Sequence, residues 1–204
     1  MDVLALAMAA EFRAVDGQAA IAMIDDLAED LSRTARTTNG SPQDLAMVCG
    51  RVLGRTHGFA GDHQRYDDPE NSMLDVVLSR RRGLPILLSV VYIEVARRAG
   101  IPLAGVGLPG HFVVAHLGSA PPVLLDPFSG GVRIDEPVPE GWVRPWRPHE
   151  IAWRMLNNLV ASYQRRGDLT AAIRGAEMRL LLPAERAQRD TMNAELRALQ
   201  SRLN

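Results

Sequence analysis

The stretch 83–131 constrains this chain more than any other, because between residues 86 and 96 apolar side chains fall on nearly every face of a helix. A one-sided surface helix has no use for that pattern, so the segment is expected to be buried all round. Pro85 suits its first turn, where a missing N–H costs nothing, and Gly100 suits its C-terminal cap. After Gly100-Ile101-Pro102 come three short apolar runs, 103–108, 112–117 and 123–125, each bounded by Gly or Pro. They are predicted strands of a small antiparallel sheet laid against the helix. His111 stands at the start of the second run and Asp126 at the end of the third. The fold class is therefore α+β.

A chain of 204 residues is long enough for one well-buried core with a small appendage. Its hydrophobic content of 47% and charged content of 23% belong to a folded domain, not a disordered one. The formal net charge of −1 removes the bulk attraction that nucleic-acid and anionic-membrane binders use, so neither partner is expected. Arg80-Arg81-Arg82 and Arg97-Arg98 read as solvated helix ends rather than as a phosphate site. A single Cys excludes an internal disulfide and any Cys-rich zinc site, and fits a reducing compartment. The N-terminus carries Asp2 and no basic region, unlike a signal peptide, and no run reaches the length of a membrane span. A cytoplasmic location is the expectation.

Ahead of the central helix the pattern gives four others. Residues 3–12 form the first. In the second, from Gly17, Ala20, Ile24, Leu27, Ala28 and Leu31 recur at helical spacing opposite an acidic face. Ser41 and Pro42 start a third, which carries Cys49; beside Val48, that thiol reads as a small core residue. His57 and His63 share a glycine-punctuated loop at a spacing that does not suit a metal, so no metal or cofactor is expected. Ser72 with Asp75 resembles a capping box opening the fourth helix, while Asn71 reads as a turn residue or as a group that positions a carbonyl.

Behind the sheet, Gly130-Gly131 reads as a hairpin turn rather than an anion cradle. Residues 135–148 hold four prolines with Trp142 and Trp146, the best boundary in the chain. The expected organisation is a core domain over 1–134 with its N-terminal helices, a Pro-rich connector over 135–148, and a helical appendage over 149–204. Leu159, Tyr163, Gly167, Asp168 and Ala172 fall at the spacing of one tetratricopeptide-type helix pair, and Pro183 lies one residue short of that repeat's closing proline. One pair cannot bury its own face and must pack on the core or on a partner.

Four motifs carry a family resemblance: Asp67-Asp68-Pro69-Glu70-Asn71-Ser72, Arg82-Gly83-Leu84-Pro85-Ile86, Pro109-Gly110-His111-Phe112 and Asp126-Pro127-Phe128-Ser129-Gly130-Gly131. Together they resemble the SirB-type family of bacterial proteins, which have a transglutaminase-like core of the papain-like superfamily and often tetratricopeptide-like helices after it. The resemblance implies a central helix packed on a sheet, with Pro85, His111 and Asp126 where active relatives hold Cys, His and Asp. In a thiol site the His takes the thiol proton and the Asp fixes the imidazole tautomer. A proline ring has no proton to give.

The expected function is thus a non-catalytic transglutaminase-like protein with a binding, regulatory or scaffold role, His111 and Asp126 being a vestigial pair. The partner expected is a protein or peptide. The alternative is an acyl-transfer or hydrolytic enzyme using His111 and Asp126 with another nucleophile. Ser89, one turn past Pro85 on the same helix face, is one substitute, and Cys49 is the other. A third reading makes the C-terminal helices a peptide-binding module on an inert core.

Overall fold

The computed structural model describes residues 1–203, the Glu140 side chain excepted. Three helices come first: α1 (Asp2–Ala10), α2 (Gly17–Ala35) and α3 (Pro42–Cys49). Asp16 caps α2 by accepting from the Ala19 N–H, and Ser41 caps α3 through the Asp44 N–H. A wider π-type turn, Gly50–Thr56, continues α3. Strand β1 (Ala60–Gly61) follows, then a short 3-10 turn (Pro69–Ser72), α4 (Leu74–Arg80) and β2 (Arg82–Gly83), which pairs parallel with β1. The expected capping box at Ser72 does not form. Asp68 instead caps the 3-10 turn through the Glu70 N–H, and the Ser72 hydroxyl is buried without a partner.

The predicted central helix is α5 (Pro85–Arg98), with Pro85 in its first turn. Leu87, Leu88, Val90, Val91, Tyr92 and Val95 are fully buried, so it is surrounded as its composition requires. It packs between α2 on one side and β3 (Leu103–Leu108) and β4 (His111–His116) on the other. β5 (Val123–Asp126) and β6 (Val132–Arg133) complete a four-stranded antiparallel sheet in simple sequence order. A two-residue turn joins β3 to β4, with Leu108 opposite His111, and Gly110 takes the left-handed conformation (φ 69°) that this turn needs.

Alternation along the strands divides the sheet's side chains between two clusters. Phe112, Val114, Val123 and Leu125 join the main core with α5. Val106, Val113, Ala115 and Leu124 form a second, smaller cluster, which Val138 and Val143 of the Pro-rich segment cover. That segment then turns around the edge of β3, where the Trp146 N–H bonds to the Gly105 carbonyl at 2.8 Å. The Trp146 indole occupies the space a side chain at Gly107 would need, since a Cβ there would fall 2.2 Å from the ring.

Three helices close the chain: α6 (Pro148–Arg165), α7 (Leu169–Leu180) and α8 (Arg186–Ser201). Ile151, Ala152, Met155, Leu156 and Leu159 of α6 enter the same core as α5. α7 packs on α6 and α8 on α7. Among the described residues, no helix is long and apolar enough to cross a membrane.

Candidate functional site

The end of β5 and the start of β4 bring His111 and Asp126 together, with His111 Nε2 2.9 Å from Asp126 Oδ1. Asp126 also accepts the Phe128 N–H at 2.9 Å and the Ser129 hydroxyl at 2.7 Å. Burial alone would raise the Asp126 pKa, but the hydrogen bonds from His111 and Ser129 outweigh it and hold the carboxyl below its ordinary value. With Nε2 engaged by the carboxylate, the tautomer assigned by this bond leaves Nδ1 to face any second partner.

The loop behind Asp126 is fixed by glycine packing. The Gly131 N–H returns to the Asp126 carbonyl at 2.8 Å, and Gly130 and Gly131 both take positive φ. Gly50 and Gly54, four residues apart, offer a surface without side chains onto which this turn lies. The turn therefore positions Asp126 from behind.

In front of the pair stands Phe128. Its ring covers Gly61, where a Cβ would fall 2.3 Å from it, and its carbonyl accepts the Gly61 N–H at 2.7 Å. The same ring makes edge contacts with His63 at 4.7 Å, Tyr66 at 6.0 Å and His111 at 6.3 Å between centroids. The loop after β1 thus brings His63 and Tyr66 to an aromatic wall beside the His–Asp pair. Asp62 anchors this loop by accepting the Gln64 and Arg65 N–H groups.

Each residue singled out in the sequence has a definite place. Pro85 opens α5, and one turn deeper the buried Ser89 hydroxyl donates to the Phe112 carbonyl at 3.4 Å rather than to His111. Cys49 is fully buried, and burial pushes its thiol up to about 12. Asn71 donates to the Arg65 carbonyl at 2.6 Å, and its own backbone carbonyl receives the Leu84 N–H at 3.0 Å, so it ties the loop to the entry of α5. Its side-chain oxygen is buried without a partner. His57 and His63 part ways, His57 to Asp30 at 3.1 Å and His63 to Phe128. Among the described residues there is no cluster of His, Cys, Asp or Glu that could hold a metal.

Several residues at the site gave no sign in the sequence. Tyr92, two turns past Pro85, places its buried hydroxyl against the Gly131 turn with no hydrogen-bond partner, and burial raises its pKa. Tyr66 belonged to no motif, and Phe128 stood in the Asp126–Gly131 motif without a role of its own. Arg154 on α6 lies over the Phe112 and Trp146 rings, at 5.5 and 5.7 Å from their centroids. Its only trace in the sequence is a charge inside the apolar pattern of α6.

A buried helix followed by a strand His and a strand Asp that meet is the arrangement that the sequence resemblance implied. The family model for the transglutaminase-like superfamily matches residues 18–161. The chain belongs to this superfamily. Among curated proteins it is similar to a UPF0162 protein of Xylella fastidiosa, 44% identical over 110 residues, which is 54% of this chain and 39% of that protein. A UPF0162 protein of Pseudomonas aeruginosa is 30% identical over 169 residues, 72% of this chain and 61% of its own length. F-box only protein 21 of Homo sapiens is 30% identical over 127 residues, 53% of this chain and 20% of that protein. The chain therefore spans less than two thirds of each of these relatives. No solved structure matches it.

Proposed function

We propose that this transglutaminase-like domain, of the SirB type, binds a protein or peptide segment at the His111–Asp126 site without covalent chemistry, in a regulatory or scaffold role in the cytoplasm. The observation that carries the reading is Pro85. It occupies the first turn of α5, where the superfamily's nucleophile would need a thiol, while the His–Asp pair itself is formed at 2.9 Å. Acyl transfer needs a group whose proton His111 can take, and neither substitute supplies one: Ser89 is turned to the Phe112 carbonyl and Cys49 is sealed in the core. What remains is a polar pair beside an aromatic wall of His63, Tyr66 and Phe128, a surface suited to a peptide backbone and an apolar side chain. In this reading α6, α7 and α8 form a tetratricopeptide-like stack that braces the site through the Ser162 hydroxyl on the Asp67 carbonyl.

A random peptide display selected on the whole chain and counter-selected on His111→Ala tests it. Peptides enriched on the wild type alone support the reading. Hydrolysis, deamidation or transamidation that His111→Ala abolishes in folded protein would overturn the non-catalytic part, and failure to enrich any peptide over the counter-selection would overturn the binding part.

A further inference from the structure

Arginines drawn out of water in this fold have carboxylates to meet. Arg98 pairs with Asp2, Asp25 and Glu94, and Arg179 reaches Glu195 at 2.9 Å and Asn157 at 2.8 Å. The half-buried Arg133 meets Asp135 at 2.8 Å, and even the exposed Arg144 holds both oxygens of Glu150, at 2.7 and 3.1 Å. Arg154 is the exception. It is half-buried, yet among the described residues its guanidinium has neither an ion pair nor a hydrogen bond. Its contacts are the faces of Phe112 and Trp146, and burial depresses its pKa. Cation–π attraction offsets part of the desolvation but leaves the guanidinium's five donors unused. None of its nitrogens is sealed from solvent, so a ligand can reach them.

Its position relates it to the His–Asp pair. Tyr66, the titratable group that bears on Arg154, meets the Phe128 ring and through it adjoins His111.

We infer that Arg154 is a ligand-anchoring residue that takes the carboxylate of a peptide segment, a C-terminal carboxylate or an acidic side chain, whose neighbouring apolar group lies against Tyr66 and Phe128. This rests on the binding reading given above. The charge balance favours a carboxylate. One unpaired cation matches one negative charge, since Arg144, which shares the Trp146 ring, is already taken by Glu150. A phosphate dianion would need further donors. The planar guanidinium fork matches a carboxylate in two parallel hydrogen bonds.

The test is a titration of the full chain followed by NMR at the arginine Nε–H signals, with N-acetylphenylalanine, its amide and inorganic phosphate as probes. The Arg154 signal is assigned by its loss in Arg154→Gln and again in Arg154→Lys, so that one folded variant suffices. A saturable shift with the carboxylate and none with the amide is expected. Binding should weaken by at least about ten-fold in Arg154→Gln, as loss of a charge-assisted hydrogen-bond pair brings, and by less in Arg154→Lys, which keeps the charge without the fork. No shift across the titration, an equal response to the amide, or a stronger response to phosphate would overturn the assignment. The two proposals fail separately. Displayed peptides that bind Arg154→Gln unchanged would remove the carboxylate anchor and leave the peptide reading. A carboxylate shift without any enriched peptide would do the reverse.

Discussion

Gly54 and Gly130 meet backbone to backbone: a Cβ on Gly54 would fall 1.8 Å from the Gly130 carbonyl oxygen. Nothing flexible stands there to give way, so Gly54→Ala must push the 130–131 turn off the π-type segment. The expected cost is about 3 kcal/mol, at the upper end for overpacking. Because that turn returns a hydrogen bond to the Asp126 carbonyl, the same variant should disturb the His111–Asp126 bond. Urea unfolding gives the first quantity and the His111 ring signals give the second. Wild-type stability in Gly54→Ala would mean that the close approach is not obligatory.

Asp126 makes a second prediction, in pH. Its folded pKa lies below the ordinary value of 3.8, because hydrogen bonds from His111, Ser129 and Phe128 outweigh its burial. A depressed carboxylate contributes stability that is fully present above the unfolded value and is lost as pH falls through the folded one. Stability should therefore drop between about pH 5 and the folded pKa, and Asp126→Ala should flatten that part of the curve while costing about 2 kcal/mol near neutrality. Denaturant midpoints measured from pH 7 downward check both. An unchanged acid limb in the variant would show that the carboxylate gains nothing from folding.

Much of this fold was written locally. The all-round apolar run gave α5, Pro85 and Gly100 gave its ends, and the Gly- and Pro-bounded runs gave β3, β4 and β5, because burial and backbone chemistry act over a few residues. The pairing of His111 with Asp126 followed from the family resemblance of the strands that carry them. What stayed hidden depends on long-range placement. Phe128 and Tyr66 become one wall only when the loop after β1 folds over Gly61, and Arg154 reaches Phe112 only because Trp146 has turned around β3. No periodicity records such meetings. The prolines of 135–148 marked irregular chain, but not that Val138 and Val143 would cover the sheet's second cluster.

Trp146 pins that segment, so Trp146→Ala should loosen it more than it harms the core. The indole is partly buried against Phe112 and over Gly107, and its loss should cost about 2 kcal/mol, below the range for a fully buried Trp. Thermolysin cleavage between residues 135 and 148 should rise well before global unfolding does. Cleavage at the wild-type rate would show that the Val138 and Val143 contacts hold the segment by themselves.

Cys49 should be silent in the native protein. With no exposed surface and a thiol pushed up to about 12, it presents almost no thiolate at pH 8. Iodoacetamide should label it only once denaturant opens the fold, and the labelling rate should track the unfolded fraction. Rapid native labelling would return Cys49 to consideration as a nucleophile.

Pro85→Cys tests the identity of the site from the opposite direction. The first turn of α5 supplies unpaired N–H groups and the positive end of the helix dipole, both of which favour a thiolate. One turn on, Ser89 already touches the carbonyl of Phe112, the residue next to His111, so the helix start and the start of β4 are neighbours. Losing the proline should cost only about 0.4–1 kcal/mol, through the unfolded chain. The new thiol should react with iodoacetamide near neutral pH far faster than Cys49, and adding His111→Ala or Asp126→Ala should slow it, because the imidazolium would no longer stabilise the thiolate. A Pro85→Cys thiol that reacts at the rate of a free cysteine regardless of His111 would mean that Pro85 does not stand at the nucleophile position. The reading of this domain as one that has exchanged its thiol for a proline would then have to be abandoned.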